Sequence, residues 1–274
     1  MNDLFRRNLT RTAVTAAYVG DPLRGIRNWN YAKSPLTYGD YGYDMSGPQV
    51  HSDGEIWATT LWTVRTKLLE AVGGNQKKAS DVAQHLVMDA MPLSPPSPSM
   101  LDMRDAIVEA QRLRYGKKYA DVVWDAFAER GMGASASTTG EADTMPVPAF
   151  DVPTKKLNGT LKLKVVNASA GGGVKDVRVL GGRFEGRTSP IVTTGRKGTA
   201  KAPMAAGRYT LTLQAPGFGS QRVSVSVGKG RTTRKTVRLR PNLLSQSSGA
   251  KVQKVSSQDD ALPAANAFDD SEAT

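Results

Sequence analysis

The chain predicts a multi-domain protein, an α-helical first half followed by an all-β antiparallel sandwich. Two changes along the sequence carry this reading. Apolar residues recur at helical spacing up to about residue 130, then alternate strictly with polar ones from residue 158. Charge divides in the same place: residues 1–150 hold 16 Lys and Arg against 17 Asp and Glu, residues 151–240 hold 19 against 3, and residues 241–274 hold 2 against 5. The net charge of +12 therefore belongs to the second segment and says nothing about the first.

Residues 1–50 are rich in Gly, Pro, Tyr and Asn and read as irregular. A helix is expected from Ser52 to about Val72, capped by Ser52 or Asp53, with Ile56, Trp57, Thr60, Leu61, Val64, Leu68 and Val72 as one apolar stripe. Gly73 and Gly74 end it. A second helix covers about 79–91, with Val82, Leu86, Val87 and Met91 on its buried side. PLSPPSPS (92–99) cannot be helical. Ser99 and Asp102 then make a capping box for a third helix, 100–115, and YADVVWDAFAER (119–130) forms a fourth that stops at Gly131. The boundaries that follow are a helical unit over 1–132, a linker over 133–157 by composition, and a sandwich over 158–241. LKLKVV, VKDVRVL, RYTLTLQA, QRVSVSV and RKTVRLRP are its strands, separated by Gly-rich turns. The polar tail from 242 to 274 is too short to fold alone.

Several function classes are weakened at once. Without cysteine there is neither a disulfide framework nor a thiolate metal site, though the compartment stays open. No apolar run approaches the roughly 20 residues of a membrane helix. The opening MNDLFRRNLTRTAVTAAYVG lacks the apolar core of a secretory signal, so the protein is intracellular or its true N-terminus lies upstream. His85 and Asp89 stand four apart and could clip a metal between them, but a helical histidine beside apolar residues is more often packed or exposed, and no HExxH occurs. The glycines of SAGGGVKDVRVLGG (169–182) lie between strands rather than before a helix, which fits a hairpin turn better than a phosphate loop. Three sequons, at Asn8, Asn158 and Asn167, carry little weight. The basic stretches GRKGTAK (195–201) and GKGRTTRKTVRLR (228–240) could grip phosphates. Their segment has few aromatics (Phe184, Tyr209, Phe218), and charged strands also protect a sheet edge, so nucleic acid is disfavoured as a partner.

GPQVHSDGEIW (47–57) contains His51, one of only two histidines. At the start of a helix its ring could donate a hydrogen bond to a developing anion, aided by the positive end of the helix dipole, and Asp44 on the preceding loop could orient it. The plainer alternative is an exposed histidine with no role.

The stretch from YVGDPLRGIRNWNYAKSPLTYGDYGYDMSGPQVHSDGEIW (18–57) through PPSPSMLDMRDAIVEAQRLRYG (95–116) to ADVVWDAFAERGMGASAS (120–137) resembles fungalysin-type zinc metallopeptidases, especially secreted bacterial ones. The resemblance implies a thermolysin-like architecture, of which this chain holds the α-helical C-terminal lobe. In that family zinc, held by an HExxH helix and a further glutamate, polarises the scissile carbonyl and activates a water. The resemblance maps the non-ligand histidine that bonds the tetrahedral oxyanion onto His51, a substrate-carbonyl arginine onto Arg27, and an orienting carboxylate onto Asp44. Loop lengths differ from thermolysin's around Arg27 and Asp44. The zinc-ligand segments and general base do not occur in the sequence, so Met1 is expected to be an internal methionine or a misplaced start.

The second half resembles carboxypeptidase-regulatory-like or PEGA-like sandwiches appended to secreted enzymes. SSQDDALPAANAFDDSEAT resembles the opening of a discoidin-type, galactose-binding-like module, so the C-terminus is expected to be truncated. The implied protein is an extracellular zinc-dependent metalloendopeptidase acting on proteins or peptides, with the missing N-terminal lobe as partner and no membrane. This chain alone is expected to be inactive. The alternative from another class is a non-enzymatic secreted adhesion or ligand-binding protein.

Overall fold

A computed structural model of the chain describes residues 13–44, 47–184, 188–261 and 263–269; Met1 and Asn8 lie outside them. Four α-helices precede seven strands among these residues. Helix α1, Val50–Ala71, is capped by Gln49, whose backbone is extended and whose side-chain oxygen accepts from the N–H groups of His51 and Ser52. Ser52 and Asp53, the expected caps, lie inside the first turn. Asp53 is drawn away by the preceding loop: its carboxylate accepts from Gly42 N (2.8 Å) and Gln49 N (2.9 Å), leaving Gln49 to cap.

Of the expected stripe on α1, Ile56, Thr60, Val64 and Leu68 are buried, while Trp57, Leu61 and Val72 are half-buried. The buried surface extends onto a polar face formed by Asp53, Glu55, Thr59 and Thr63. That face is covered by the irregular segment 13–44, whose backbone needs hydrogen-bond partners that apolar side chains would not supply. Arg130 helps to tie it down, donating to Thr63 Oγ1 at 2.8 Å and to the carbonyls of Ser34 and Leu36 at 3.1 Å.

Helix α2, Gln76–Ala90, starts earlier than its apolar pattern predicts because Asn75 caps it, accepting from Lys78 N. Helix α3, Met100–Tyr115, carries the expected Ser99–Asp102 capping box, and α4 runs Ala120–Glu129. Leu68, Leu86, Ile107, Val123 and Phe127 lie in their common core. Lys67 on α1 bridges Asp125 and Glu129 on α4 at 2.7 and 2.9 Å. His85 and Asp89 do not converge on a common point: the Asp89 carboxylate pairs with Arg114, while His85 Nδ1 stands 3.5 Å from Tyr115 Oη.

The strands are β1 Asn158–Asn167, β2 Arg178–Leu180, β3 Val192–Thr193, β4 Thr199–Ala205, β5 Gly207–Gln214, β6 Gln221–Val227 and β7 Thr232–Leu239. They form two sheets, β4-β1-β7 and β3-β2-β5-β6. The expected all-antiparallel pairing is corrected at one place. The first and last strands meet in one sheet and run parallel, Thr160 opposite Thr232 through Asn167 opposite Leu239. Leu161, Leu163, Val165, Leu211, Val225 and Val237 fill the space between the sheets. Gly171 and Gly172 adopt positive φ in the turn after β1, with no helix following, which fits the hairpin reading. The sequon at Asn158 is occupied internally, since its amide exchanges two 2.8 Å bonds with the Val152 backbone. Described residues beyond 241 hold two short 3-10 segments and no named strand.

Residues 133–157, expected to be a linker, are packed. Gly133 N and Ala134 N donate to the carbonyls of Ala149 and Asp151, and the Asp151 carboxylate accepts from Ser135 N and Oγ. Arg104 of α3, buried beneath Trp124, donates to the carbonyl of Gly133 at 2.8 Å. Composition could not show this, because the small residues that suggest flexibility also allow close backbone pairing. A Cβ on Gly133 would lie 2.4 Å from the Asp151 carbonyl oxygen.

The two halves also meet through a single carboxylate. Thr37 caps a 3-10 turn, Tyr38–Asp40, whose Asp40 side chain is fully buried. Asp40 Oδ2 accepts from Thr37 N and Oγ1, and Oδ1 accepts from Arg183 N (2.7 Å) and Phe184 N (2.8 Å), just beyond β2. Thr37 Oγ1 donates to the Gly181 carbonyl and Thr188 Oγ1 to the Gly39 carbonyl. The backbones approach so closely that a Cβ on Gly39 would sit 2.5 Å from the Gly181 carbonyl carbon.

Candidate functional site

His51 is the second residue of α1 and is exposed. The N–H groups of His51 and Ser52 are already satisfied by Gln49, and that of Asp53 by the Gln49 carbonyl at 2.9 Å. The exposed imidazole is a donor this turn can offer an incoming group. His51 and Glu55 are one helical turn apart on the same side of α1.

Glu55 is buried and organises the neighbouring loop. Its two oxygens accept from Asn28 N and Trp29 N, both at 2.9 Å. Burial raises the Glu55 pKa, while these backbone donors and the nearby positive charge of Arg27 act the other way. Glu55, one helical turn after His51 on α1, thereby holds the backbone of the two residues that follow Arg27. The loop carrying Asp44 reaches the same region: Tyr43 Oη accepts from Asn28 Nδ2 at 3.1 Å. Burial pushes the Tyr43 hydroxyl up to about 12, and Glu55 and Asp44 add to the effect. Trp29, Tyr43 and Phe184 form an aromatic contact between this loop system and the β half, with Tyr43 and Phe184 centroids 5.3 Å apart.

Of the three sequence-predicted site residues, His51 stands on the first turn of α1, while Arg27 and Asp44 belong to the irregular segment that precedes it. The anchors were not singled out from the sequence: Glu55 fixes the Arg27 segment, Asp53 fixes the loop into α1, and Arg130 fixes residues 34–36. One signal was available for Glu55. Glu55, Thr59 and Thr63 recur at four-residue spacing beside the apolar stripe, marking a polar face too regular to be random exposure. A cleft of about 440 Å³ opens between the starts of α1 and α3, walled by Tyr41, Gln49, Asp53, Trp57, Ser99 and Asp143.

Comparison with known proteins agrees with this half of the molecule. Residues 3–136 match the family model described as fungalysin metallopeptidase (M36). These residues are fungalysin-like. The extracellular metalloproteinase mep of Aspergillus terreus is 32% identical over 152 residues, covering 50% of this chain and 23% of that protein. Extracellular metalloproteinase 3 of Trichophyton tonsurans is 33% identical over 133 residues, covering 44% and 21%. The chain spans about a quarter or less of the curated relatives it matches. These relatives are fungal, where the sequence suggested bacterial members. The minor pilin GBS52 of Streptococcus agalactiae shares 17% identity, covering 42% of this chain and 53% of that one, at a TM-score of 0.26, a likeness too slight to carry any argument.

The described side chains of the fungalysin-like half do not gather into a set fit to hold a metal. Among the described residues no three or more His, Asp or Glu gather as a metal site. The two histidines stand on different helices, α1 and α2, and His85 faces Tyr115. Among the described residues no helix is long and apolar enough to cross a membrane.

Proposed function

We propose that residues 1–132 are the helical C-terminal lobe of the catalytic domain of an extracellular zinc metalloendopeptidase that hydrolyses peptide bonds in proteins. The observation that carries the proposal is an exposed His51 on the first turn of α1, inside the segment matching the family model, with Glu55 one turn later holding the backbone next to Arg27. The relatives' printed names, extracellular metalloproteinases, support secretion and protein substrates. Zinc would be held by a lobe that this chain does not contain. Residues 133–157 connect to a carboxypeptidase-regulatory-like or PEGA-like sandwich at 158–241, and 242–274 begins a discoidin-like module.

In this reading His51 donates its imidazole N–H to the oxyanion that develops on the substrate carbonyl. Arg27 holds a substrate carbonyl oxygen, and Asp44 orients the His51 ring. Tyr18, Val19, Leu23, Ile26 and Val50 are exposed near these segments and supply apolar surface for the missing lobe to cover.

The test uses the complete enzyme with its metal-binding lobe. His51→Ala should lower kcat by roughly a hundred- to a thousandfold, with KM little changed, bound zinc retained and the far-UV spectrum intact. Activity within threefold of the parent would overturn the role given to His51. An in-frame stop directly upstream of Met1, with no HExxH encoded, would favour the non-enzymatic adhesion reading.

A further inference from the structure

The outer face of the β4-β1-β7 sheet is cationic in a way that neither stability nor edge protection explains. Alternation fixes which side chains point outward. Leu161, Leu163 and Val165 of β1, Ala202 and Met204 of β4, and Val237 and Leu239 of β7 are buried. Lys162, Lys201, Arg234 and Arg238 therefore face solvent, and Lys164 lies half-buried on the same face, donating to the Lys197 carbonyl. The register then places Lys162 directly opposite Lys201 on one side and Arg234 on the other, a row of three like charges across all three strands. Two positions on, Lys164 lies between Thr199 and Thr236, and Arg238 is opposite Val166. Among the described residues Lys162, Lys201, Arg234 and Arg238 form no ion pair. The segment from 151 to 240 offers only three acids: Asp151 is bound to Ser135, Asp176 pairs with Lys175, and Glu185 is outside the described residues.

Like charges directly opposite one another on a sheet are destabilising. Lysine on an edge strand can justify that cost by blocking edge-to-edge association. Lys162 is on the central strand and blocks no edge. A solubilising face would also mix signs, and a glutamate at 162 would turn two repulsions into attractions. The arrangement is therefore suited to an anionic partner. Five cations fall within a patch about 10 Å across the strands and about 13 Å along them.

We propose that this sheet face binds an anionic polysaccharide, a chain bearing sulfate or carboxylate groups. Thr160, Thr199, Thr232 and Thr236 stand among the cations and provide hydroxyls that can bond sugar hydroxyls and sulfates. No aromatic residue lies on the face to stack a base, which disfavours single-stranded nucleic acid. Its apolar content, Val166 and Pro203, is too small to enter a membrane.

Binding of heparin to the full chain, measured by calorimetry from 50 to 400 mM NaCl, tests the proposal. The parent should bind with an affinity that falls steeply with salt. Lys162→Thr/Lys201→Thr/Arg234→Thr should weaken binding at least tenfold at 100 mM and flatten the salt dependence. Lys78→Gln/Lys117→Gln/Lys251→Gln removes equal charge from exposed sites elsewhere and should change affinity less than threefold. Lys162→Thr alone, an exposed single change on β1, should lose about threefold and serves if the triple variant fails to fold. Equal losses in the two triple variants, no loss with Lys162→Thr, or tighter binding of duplex DNA than of heparin at the same salt would overturn it.

Discussion

Replacing Asp40 with alanine should loosen the seam between the helical and β halves more than any other single side-chain change there. The carboxylate accepts from three backbone N–H groups, those of Thr37, Arg183 and Phe184, and from the Thr37 hydroxyl. The hydroxyl has one proton, shared between Asp40 and the Gly181 carbonyl, and keeps the carbonyl as acceptor; the three N–H groups lose their side-chain acceptor at the seam. Each buried donor left unsatisfied costs about 1–2 kcal/mol, so the gross loss is about 3–6 kcal/mol. Removing a buried charge returns part of this, leaving about 2–4 kcal/mol. Urea unfolding of the full chain, followed by far-UV circular dichroism, measures the loss. Limited proteolysis should show faster cleavage within 133–157 in the variant. A loss below 1 kcal/mol with unchanged proteolysis would mean that water or a backbone shift satisfies these donors, and that the carboxylate does not hold the seam.

Asp40 also sets a pH dependence. Burial raises its pKa from 3.8 to about 6 despite its four donors, so the folded chain holds this proton more tightly than the unfolded chain does. The contribution is fully present below pH 4 and is lost as pH rises through 6, amounting to about 3 kcal/mol. Urea midpoints of the parent should show this falling component between pH 4 and 6, and Asp40→Ala should lack it; parallel profiles would refute the assignment. Glu55→Ala frees Asn28 N and Trp29 N and should cost about 2–3 kcal/mol in urea unfolding, while also making the Arg27 loop more protease-sensitive. Gly39→Ala forces a Cβ against the Gly181 backbone and should destabilise by about 2 kcal/mol or more, a loss that Asp40→Ala should partly mask because both act on one seam.

The helices were legible because several signals agreed: apolar spacing, the Ser99–Asp102 box and the glycines at 73, 74, 116 and 131. Strand β4, TAKAPMA, escaped the reading because it is mostly small residues and contains Pro203. Proline is tolerated there since β4 is an edge strand and Pro203 is exposed. The parallel β1–β7 pair was also hidden, because alternation fixes which face a residue takes but not which strand lies beside it. Asp40 was illegible for a related reason. Its partners Arg183 and Phe184 are 143 and 144 residues away, and the local Thr37–Asp40 spacing marks a capped turn without pointing to the other half.

At the site, the exposed imidazole was legible and the residues that place it were not. His51 stood out through its rarity and its resemblance to a family motif. Glu55, Asp53 and Arg130 were overlooked because charged side chains are expected at the surface. Here they are drawn inward by backbone groups of the irregular segments 13–44 and 47–49, which cannot satisfy themselves as a helix or sheet would. That cause links fold to function. In the proposed reading an open loop leaves His51 and Arg27 accessible; an open loop leaves backbone donors to be satisfied, and α1 meets them with a polar face. A variant that makes this face apolar, such as Glu55→Leu, should therefore keep α1 and its core while displacing Arg27. In the complete enzyme it should raise KM or lower kcat without unfolding the lobe. Retention of full activity in Glu55→Leu would separate the loop anchor from the site.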